Sequence, residues 1–175
     1  AGMVTEEAAA TLSSFGTITF QDADLIDVHT ASFVLKSSDA IANLPGFAEG
    51  NTSAAANIGT FALGAVNESA IDTTNTGSVG WTFTLDNSNG MLQSLAAGQT
   101  ITQVYTVTVK DNNNATVTQD VTVTIMGTND APVIAAISQA DLTEDQAGQP
   151  NATTLPLVSF TDVNMIDIGH TASVT

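Results

Sequence analysis

The sequence predicts an all-β protein, folded as an antiparallel β-sandwich with one short helical turn. Two observations lead to this prediction. Threonine and valine, which favour extended backbone, are abundant throughout the chain. Several short segments alternate apolar with polar residues, and glycine, asparagine and aspartate cluster between them as they do in turns. Short strands joined by turns favour a sandwich over a parallel sheet.

The clearest strands form a β-hairpin. Ile101–Val109 alternates threonine with larger side chains. Val117–Ile125 repeats this alternation, which places its valines, from Val117 onward, on one face together with Ile125. The turn-rich segment Lys110–Thr116 lies between the two strands, so we expect a hairpin with one buried face.

Three further strands and a helical turn follow from the same reasoning. Val79–Leu85 places Trp81 on one face with Phe83 and Leu85, which indicates a core residue and not a sugar-stacking platform. Phe15–Phe20 and Thr60–Leu63 are also predicted strands. Apolar residues at helical spacing predict one or two helical turns within residues 89–97, ended by Gly98. Residues 36–58 lack periodicity, and we expect a long loop there.

The charge balance limits the classes of partner. The chain has 18 acidic residues, no arginine and only Lys36 and Lys110 as basic residues, which gives a net charge of −16. Binding to nucleic acid or to an anionic membrane surface requires basic residues, so neither is expected. The charge favours cations as partners, or else a soluble surface in a salty environment. No apolar run approaches the length of a membrane span, so we expect no membrane insertion.

The chain contains an internal repeat. Phe20–Phe33 matches Phe160–Val174 with one inserted glycine, Gly169. Asp22 and Asp162 occupy equivalent positions, which lie 140 residues apart. Upstream, the Thr-Glu-Glu that begins at position 5 matches the Thr-Glu-Asp that begins at position 143. A period of this length is typical of domains joined head to tail.

The repeat divides the chain into one complete unit and the beginning of another. Residues 1–128 form the complete sandwich repeat, and residues 129–175 form a linker and the N-terminal part of the next repeat. The joint falls within Gly127–Ile134, where Pro132 stiffens the backbone. The second part is too short to bury a sandwich core alone.

The joint and the loops around it resemble those of a known family. GTNDAPVI after a threonine–valine strand, FQDADLIDVHTAS and the LAAGQT turn before a strand are similar to the VCBS repeats of very large bacterial surface proteins. The resemblance covers nearly the whole chain. It implies an immunoglobulin-like or cadherin-like sandwich, repeated many times in a secreted, extracellular RTX-type adhesin that acts in attachment or biofilm formation. It also implies calcium at the junctions between repeats.

The joint is similar to the cadherin linker, and Asp22 with Asp24 resembles the cadherin Asp-x-Asp. The second copy departs from that pattern, because it has Asp162 and Asn164. The cadherin Asp-Arg-Glu motif is missing, since the chain has no arginine.

Acidic and amide side chains cluster in the same places. Calcium takes six to eight oxygen ligands, and crowded carboxylates repel one another unless a cation neutralises them. The predicted calcium ligands lie at the start of each unit, in the repeated aspartate-rich loop or at the joint: Glu6, Asp22, Asp24, Asp27, Asn129, Asp130, Glu144, Asp162, Asn164 and Asp167.

Our hypothesis is that Asn129 and Asp130, acids at the start of the next unit, and Asp162 with Asn164 form one calcium site at the joint. Asp22 and Asp24 would serve the preceding joint. The alternative is a set of solvated acidic turns whose side chains cap local backbone.

Other polar residues are assigned structural roles. His29 and His170 share the motif His-Thr-Ala-Ser, which favours a hydrogen bond near a strand end over catalysis. Asp111 with the following asparagines is predicted to form a turn, with an ion bound in the hairpin loop as the alternative. Asp86, Asn87 and Asn89 are predicted to form a turn and a helix cap. No Gly-x-Ser-x-Gly or His-Glu-x-x-His motif is present, and we expect no enzyme.

These observations favour a calcium-stabilised tandem-repeat extender or adhesion module of a large secreted surface protein. Its partners would be neighbouring repeats of the same chain and a host or biofilm surface ligand. Two alternatives stay open. One is a self-assembling filament or surface-layer subunit, and the other is a module that binds a carbohydrate or a protein.

Overall fold

A computed structural model of the protein describes residues 1–7, 9–44, 58–69, 73–88, 90, 92–135, 158–164 and 166–173. Within these residues the chain forms nine β-strands, one short α-helix and one 3-10 turn. Seven strands form two sheets that share a hydrophobic core, and the last two pair as a separate ribbon. The predicted all-β sandwich is therefore confirmed.

The first sheet has four strands: β1 Gly2–Thr5, β3 Thr30–Ser38, β6 Thr100–Lys110 and β7 Thr116–Met126. Their order in the sheet is β1-β7-β6-β3. β6 and β7 are the predicted hairpin, and Tyr105 lies opposite Val121 in their antiparallel register. β1 pairs in parallel with the end of β7 only, from Val123 to Met126.

The second sheet has three antiparallel strands: β2 Thr11–Gln21, β4 Thr60–Asn67 and β5 Thr76–Asp86. Their order is β2-β5-β4, and β2 pairs with β5 along its whole length. This division places the second, fourth and fifth strands in one sheet and the third, sixth and seventh in the other. It is the arrangement of an immunoglobulin-like sandwich, with the first strand on the edge of the sheet that contains the seventh.

The remaining elements are short. Helix α1 spans Ala40–Asn43, and the 3-10 turn spans Leu92–Ser94. The 3-10 turn lies inside the predicted helical segment, and Gly98 follows with a φ of +86°, a conformation that glycine adopts without strain. The ribbon pairs β8 Val133–Ile134 with β9 Phe160–Thr161.

The core lies between the two sheets and contains the residues that alternation predicted. On β5, Trp81 and Phe83 are buried, and on β6 so is Tyr105. The Phe61 ring of β4 stacks on Tyr105 at 4.2 Å and on Trp81 at 5.8 Å. These rings lock the two sheets together, and the core assignment of Trp81 is confirmed.

Two local predictions are wrong. Residues 36–58 were expected to be a loop, but Lys36–Ser38 ends β3 and helix α1 follows; residues 45–57 lie outside the described residues. Val117 was expected on the buried face of β7, yet it is 54% exposed. The reason is that β1 covers only the second half of β7, so the first half lies on an uncovered edge.

Candidate metal centres

The outer cluster consists of Asp22, Asp24 and Asp27 in the loop between β2 and β3. Each residue presents one carboxylate oxygen, and these oxygens lie within 4.8 Å of one another. Two backbone hydrogen bonds fold the loop this way. Asp24 N donates to Asp22 Oδ1 at 2.9 Å, and Asp27 N donates to Asp24 O at 3.0 Å. The structure thus brings together three of the predicted ligands.

Neighbouring loops hold the outer cluster in place. The Asn113 amide, from the turn between β6 and β7, donates to Asp27 Oδ2 at 2.8 Å. Asp22 N donates to Asn75 O at 2.9 Å, just before β5 begins. A cavity of about 470 Å³ opens beside the cluster, and its lining includes Asp24 and Glu68. The cluster therefore forms part of a concave surface at one end of the sandwich.

His29 fixes one side of this surface. Its Nε2 lies 3.0 Å from Asp22 Oδ2 and its Nδ1 lies 2.6 Å from Glu68 Oε2. Burial alone lowers the pKa of His29, but its hydrogen bonds to the accepting carboxylates of Glu68 and Asp22 outweigh this effect and raise the pKa. The pKa of Asp22 is lowered, mainly by the Asp24 N–H and then by His29. The histidine keeps the Asp22 carboxylate ionised and oriented.

The joint cluster lies at the other end of β2, and its main residue is Glu6. Glu6 follows β1 and is 1% exposed. Its Oε2 accepts a hydrogen bond from Thr128 N at 3.1 Å, whereas no described residue bonds its buried Oε1. Burial raises the pKa of Glu6 from 4.5 to about 7; the Thr128 N–H opposes this rise, and the charges of Asp130 and Glu7 add to it.

Asn164, from the loop after β9, inserts into the same cluster and is also 1% exposed. Its Oδ1 accepts from Asp130 N at 2.5 Å. Its Nδ2 lies 3.2 Å from Leu95 O and 3.4 Å from Gln93 O, Thr128 O and Asp130 Oδ2. The joint cluster therefore joins three parts of the chain: the end of β1, the linker after β7, and the start of the second repeat.

The second repeat reproduces the geometry of the outer cluster. His170 Nε2 lies 2.8 Å from Asp162 Oδ2, as His29 does from Asp22. Asp162 Oδ1 accepts from Asn164 N at 2.9 Å. The hydrogen bonds from His170 and then from Asn164 N lower the pKa of Asp162. The structural role predicted for both histidines agrees with these contacts.

The other predicted ligands are placed differently. Asn129 is exposed, and its amide donates to Asp130 O at 2.9 Å rather than reaching the joint cluster. Asp167 is partly buried, and its N donates to Asn164 O at 3.0 Å. Glu144 lies outside the described residues. Among the described residues, Glu6 is the predicted ligand from the start of a unit that lies at the joint, next to Asp130.

Two acidic turns behave as predicted. Asp111 Oδ1 accepts from Asn113 N and from Ala115 N, both at 2.8 Å, across the β6–β7 turn. Asp86 Oδ1 accepts from Ser88 N at 2.9 Å. In each carboxylate, Oδ1 accepts from local backbone.

Sequence reasoning missed Glu68 and the role of Thr128. Glu68 directly follows β4, a strand predicted to end earlier, at Leu63. Glu68 could have been predicted from its position. It is an acidic residue directly after a strand, at the same end of the sandwich as the aspartate-rich loop. Thr128 takes part through its backbone N–H and carbonyl oxygen, which no side-chain pattern reveals.

No family model and no curated protein matches the sequence. Among solved structures, the chain is similar to ACE19, the collagen-binding subdomain of the Enterococcus faecalis surface protein ACE. Sequence identity is 9% and the TM-score is 0.29, over 72% of this chain and 94% of that one. So weak a likeness carries no argument about fold or function. Of the helices in the described residues, none has the length and apolar character needed to cross a membrane.

Proposed function

We propose that the chain is a calcium-stabilised tandem-repeat module of a large secreted bacterial surface protein, acting as an extender in cell attachment or biofilm formation. One observation carries this proposal. At the junction between the two repeats, the buried Glu6 carboxylate has one oxygen without a hydrogen-bond partner among the described residues, next to Asp130 and Asn164.

A cation explains why such a carboxylate is buried. An ionised carboxylate without full hydrogen bonding is costly away from water, and the raised pKa of Glu6 expresses that cost. The negative charge of Asp130 adds to it. A bound cation would neutralise both acids and give Glu6 Oε1 a partner.

Calcium fits the donor set better than other biological cations. The cluster offers carboxylates from Glu6 and Asp130, the Asn164 side-chain carbonyl, and the oxygens of Thr128. These are hard oxygen donors in irregular loops, and the chain supplies no cysteine. Calcium accepts six to eight such ligands in flexible geometry, whereas magnesium demands a near-ideal octahedron.

The mechanical role follows from where the ligands originate. One calcium ion would tie the end of β1, the linker and the second repeat together, and so would hinder bending at the joint. With a net charge of −16, acidic units repel one another unless cations neutralise their ends. The outer cluster of Asp22, Asp24 and Asp27 would serve the equivalent joint to a preceding repeat.

The adhesion role rests on the internal repeat, the acidic composition and the resemblance to VCBS repeats. On this proposal the protein is secreted and extracellular, and it is not an enzyme. Its partners are neighbouring repeats and a host or biofilm surface ligand. The sandwich serves as a spacer whose joints stiffen when calcium is present.

Isothermal titration of the full chain with calcium tests the proposal. We expect Glu6→Gln to remove or weaken the joint site by roughly tenfold or more, because it removes one charged ligand. Glu7→Gln is the matched control, since Glu7 is the exposed neighbour of Glu6 and acts on it only through its charge, so this variant should weaken binding far less than Glu6→Gln. Asp24→Asn should affect only the outer site. Unchanged calcium binding by Glu6→Gln would overturn the assignment.

A further inference from the structure

The outer face of the second sheet carries almost no charge. Its strands β2, β4 and β5 contain a single charged residue, Asp86, at the end of β5. The strands of the first sheet, in contrast, carry Lys36, Lys110 and Asp120. Because the chain has a net charge of −16, two copies repel each other least when they meet through an uncharged surface.

We call this surface the uncharged face. It consists of exposed residues from three strands: Ser13, Phe15, Thr17 and Thr19 of β2, Gly80, Thr82 and Thr84 of β5, and Thr60, Ala62 and Gly64 of β4.

Phe15 projects from the middle of the uncharged face. Exposed and less exposed residues alternate along β2, and Phe15 falls on the outer side. Its side chain is 81% exposed, more than any other large apolar side chain in the seven strands of the sandwich. An aromatic ring held on a sheet in this way offers a large apolar area that a partner can bury.

Gly80 leaves bare backbone beside Phe15. It lies opposite Thr17 on the neighbouring strand, one diagonal step from Phe15. The exposed Ala62 and Gly64 of β4 continue this low area, and a Cβ on Gly64 would meet Gly80 O at 3.6 Å. The uncharged face therefore carries a projecting ring next to a shallow depression.

No contact within the described chain explains the glycine at position 80. The φ of Gly80 is not in the left-handed region, and a Cβ there would meet nothing within 4 Å. Gly16 and Gly77 differ, because the rings of Trp81 and Phe20 fill the space that their Cβ atoms would need. Glycine weakens a strand, and inside a strand it often marks a place where another molecule approaches the backbone closely.

A preceding repeat in the same chain would leave the uncharged face open. In the second repeat, β8 pairs with Phe160–Thr161, the equivalent of Phe20–Gln21. By the same register, the corresponding segment of a preceding repeat would lie along the edge of β2 beside Phe20–Gln21. It would not cover the outer side of Phe15 or Gly80.

We propose that the uncharged face binds the same face of a second copy of this chain about a twofold axis, with each Phe15 ring over Gly80 of the other copy. Packed sheets lie about 10 Å apart, so a phenylalanine ring fits between them only where the opposing residue is small. A twofold interface requires a self-complementary patch, and this face holds both the ring and the depression.

The size of the uncharged face predicts a weak interface. Three strands of up to 11 residues cover roughly 500 Å². Stable interfaces bury about 800 Å² on each partner, so a single pair should have a Kd of roughly 0.1–1 mM. Many such pairs along two neighbouring arrays would act together. This last step rests on the proposed tandem-repeat function, whereas the pairing of two copies does not.

Sedimentation velocity of the full chain, from about 10 µM to about 1 mM, tests the pairing. The buffer contains chelator, so the result does not depend on calcium binding. We expect a reversible dimer that grows with concentration. It should strengthen in about 1 M salt, because salt screens the repulsion between two acidic copies. A chain that stays monomeric throughout, or a dimer that salt weakens, would overturn the proposal.

Two variants locate the contact. Phe15→Ser removes the ring and Gly80→Val fills the depression, and each should raise the Kd of the dimer at least tenfold. Neither side chain is buried, and urea unfolding would verify that both variants fold. Val34→Ser is the control, since Val34 is 62% exposed on β3 of the first sheet and should leave the Kd unchanged. A dimer that both variants leave intact would use another surface and contradict the assignment.

Discussion

Glu6 and Glu7 are neighbours of the same chemical type with opposite surroundings. Glu6 is buried at the joint, whereas Glu7 is exposed and has a φ of +63°. The Thr-Glu-Glu motif identified both residues as the start of a repeat, but only the structure separates them. Glu6 lies beside the linker because β1 runs parallel to the end of β7, where Glu6 N donates to Met126 O and Thr128 N donates to Glu6 Oε2. These contacts join residues about 120 positions apart, so local sequence does not encode them.

The burial of Glu6 predicts that the stability of the calcium-free protein depends on pH. The folded state raises the pKa of Glu6 from 4.5 to about 7, so between these values the folded state binds more protons than the unfolded state. The free energy of unfolding should therefore fall as pH rises from 4.5 to 7, by about 3 kcal/mol from this group. Urea unfolding across this range in chelator measures it.

Glu6→Gln should lose this component of the pH dependence, and Glu7→Gln should keep it. In saturating calcium the decline should disappear from the natural protein as well, because the cation stabilises the ionised carboxylate. An unchanged pH profile in Glu6→Gln would show that other groups cause the decline.

Asn164 supports a second prediction about the joint. Replacement of Asn164 by alanine removes the acceptor of the Asp130 N–H and the donor to Leu95 O. A hydrogen bond of this kind contributes about 1 kcal/mol, so we expect hydrogen exchange of the Asp130 amide to accelerate roughly five- to tenfold. Asn129→Ala is the control, since Asn129 is exposed and bonds only Asp130 O among its described contacts. Equal exchange in both variants would contradict the role of Asn164.

At the scale of elements, alternation predicted the strands whose two faces differ most. On β5 and β6 the buried and less buried positions alternate along nearly the whole strand. β3 was missed because most of its residues are exposed on both faces, including Val34 and Lys36, so it carries no period of two. β1 is four residues long, and its parallel partner β7 lies more than 100 positions away. Such a pairing has no local signal.

The sequence also predicted part of the two acidic clusters. Clustering of acids identified Asp22, Asp24 and Asp27, because these residues lie in one loop. It also identified Asp130 and Asn164, but it did not reveal that their partner is Glu6. Contacts made by backbone atoms, such as the one between Asn164 Nδ2 and Thr128 O, cannot be predicted from side-chain identity.

The contact between β2 and β5 yields a prediction about packing. A Cβ on Gly16 would lie 2.7 Å from the indole ring of Trp81, which is buried and cannot move aside. We expect Gly16→Ala to lower the free energy of unfolding by about 1–3 kcal/mol. Gly80→Ala is matched to it, since Gly80 lies opposite Thr17 in the same strand pair and its Cβ would meet nothing within 4 Å. The urea midpoints of the two variants are compared. Similar losses of stability in both would show that the cost at Gly16 comes from strand propensity and not from a clash with the Trp81 ring.

At the scale of the whole molecule, one cluster of acidic groups lies at each end of the sandwich. The outer cluster lies just after Gln21, the last residue of β2. Glu6 lies before Thr11, the first residue of β2. Between the ends, the two sheets enclose an aromatic core, and the charged residue that is buried among the described residues, Glu6, lies at the joint. Acidic clusters at both ends of a sandwich agree with the proposal of a repeated spacer, because neighbouring units would then meet end to end.

The central claim is that calcium holds the joint of this chain together, and a thermal melt tests it most directly. The full chain would be melted in millimolar calcium, in excess chelator and in magnesium. Calcium at about a hundred times its dissociation constant should stabilise the fold by about 3 kcal/mol, a rise in Tm of roughly 10 °C, while magnesium should give little. Identical melts in calcium and chelator would contradict the claim and leave the acids as solvated turns.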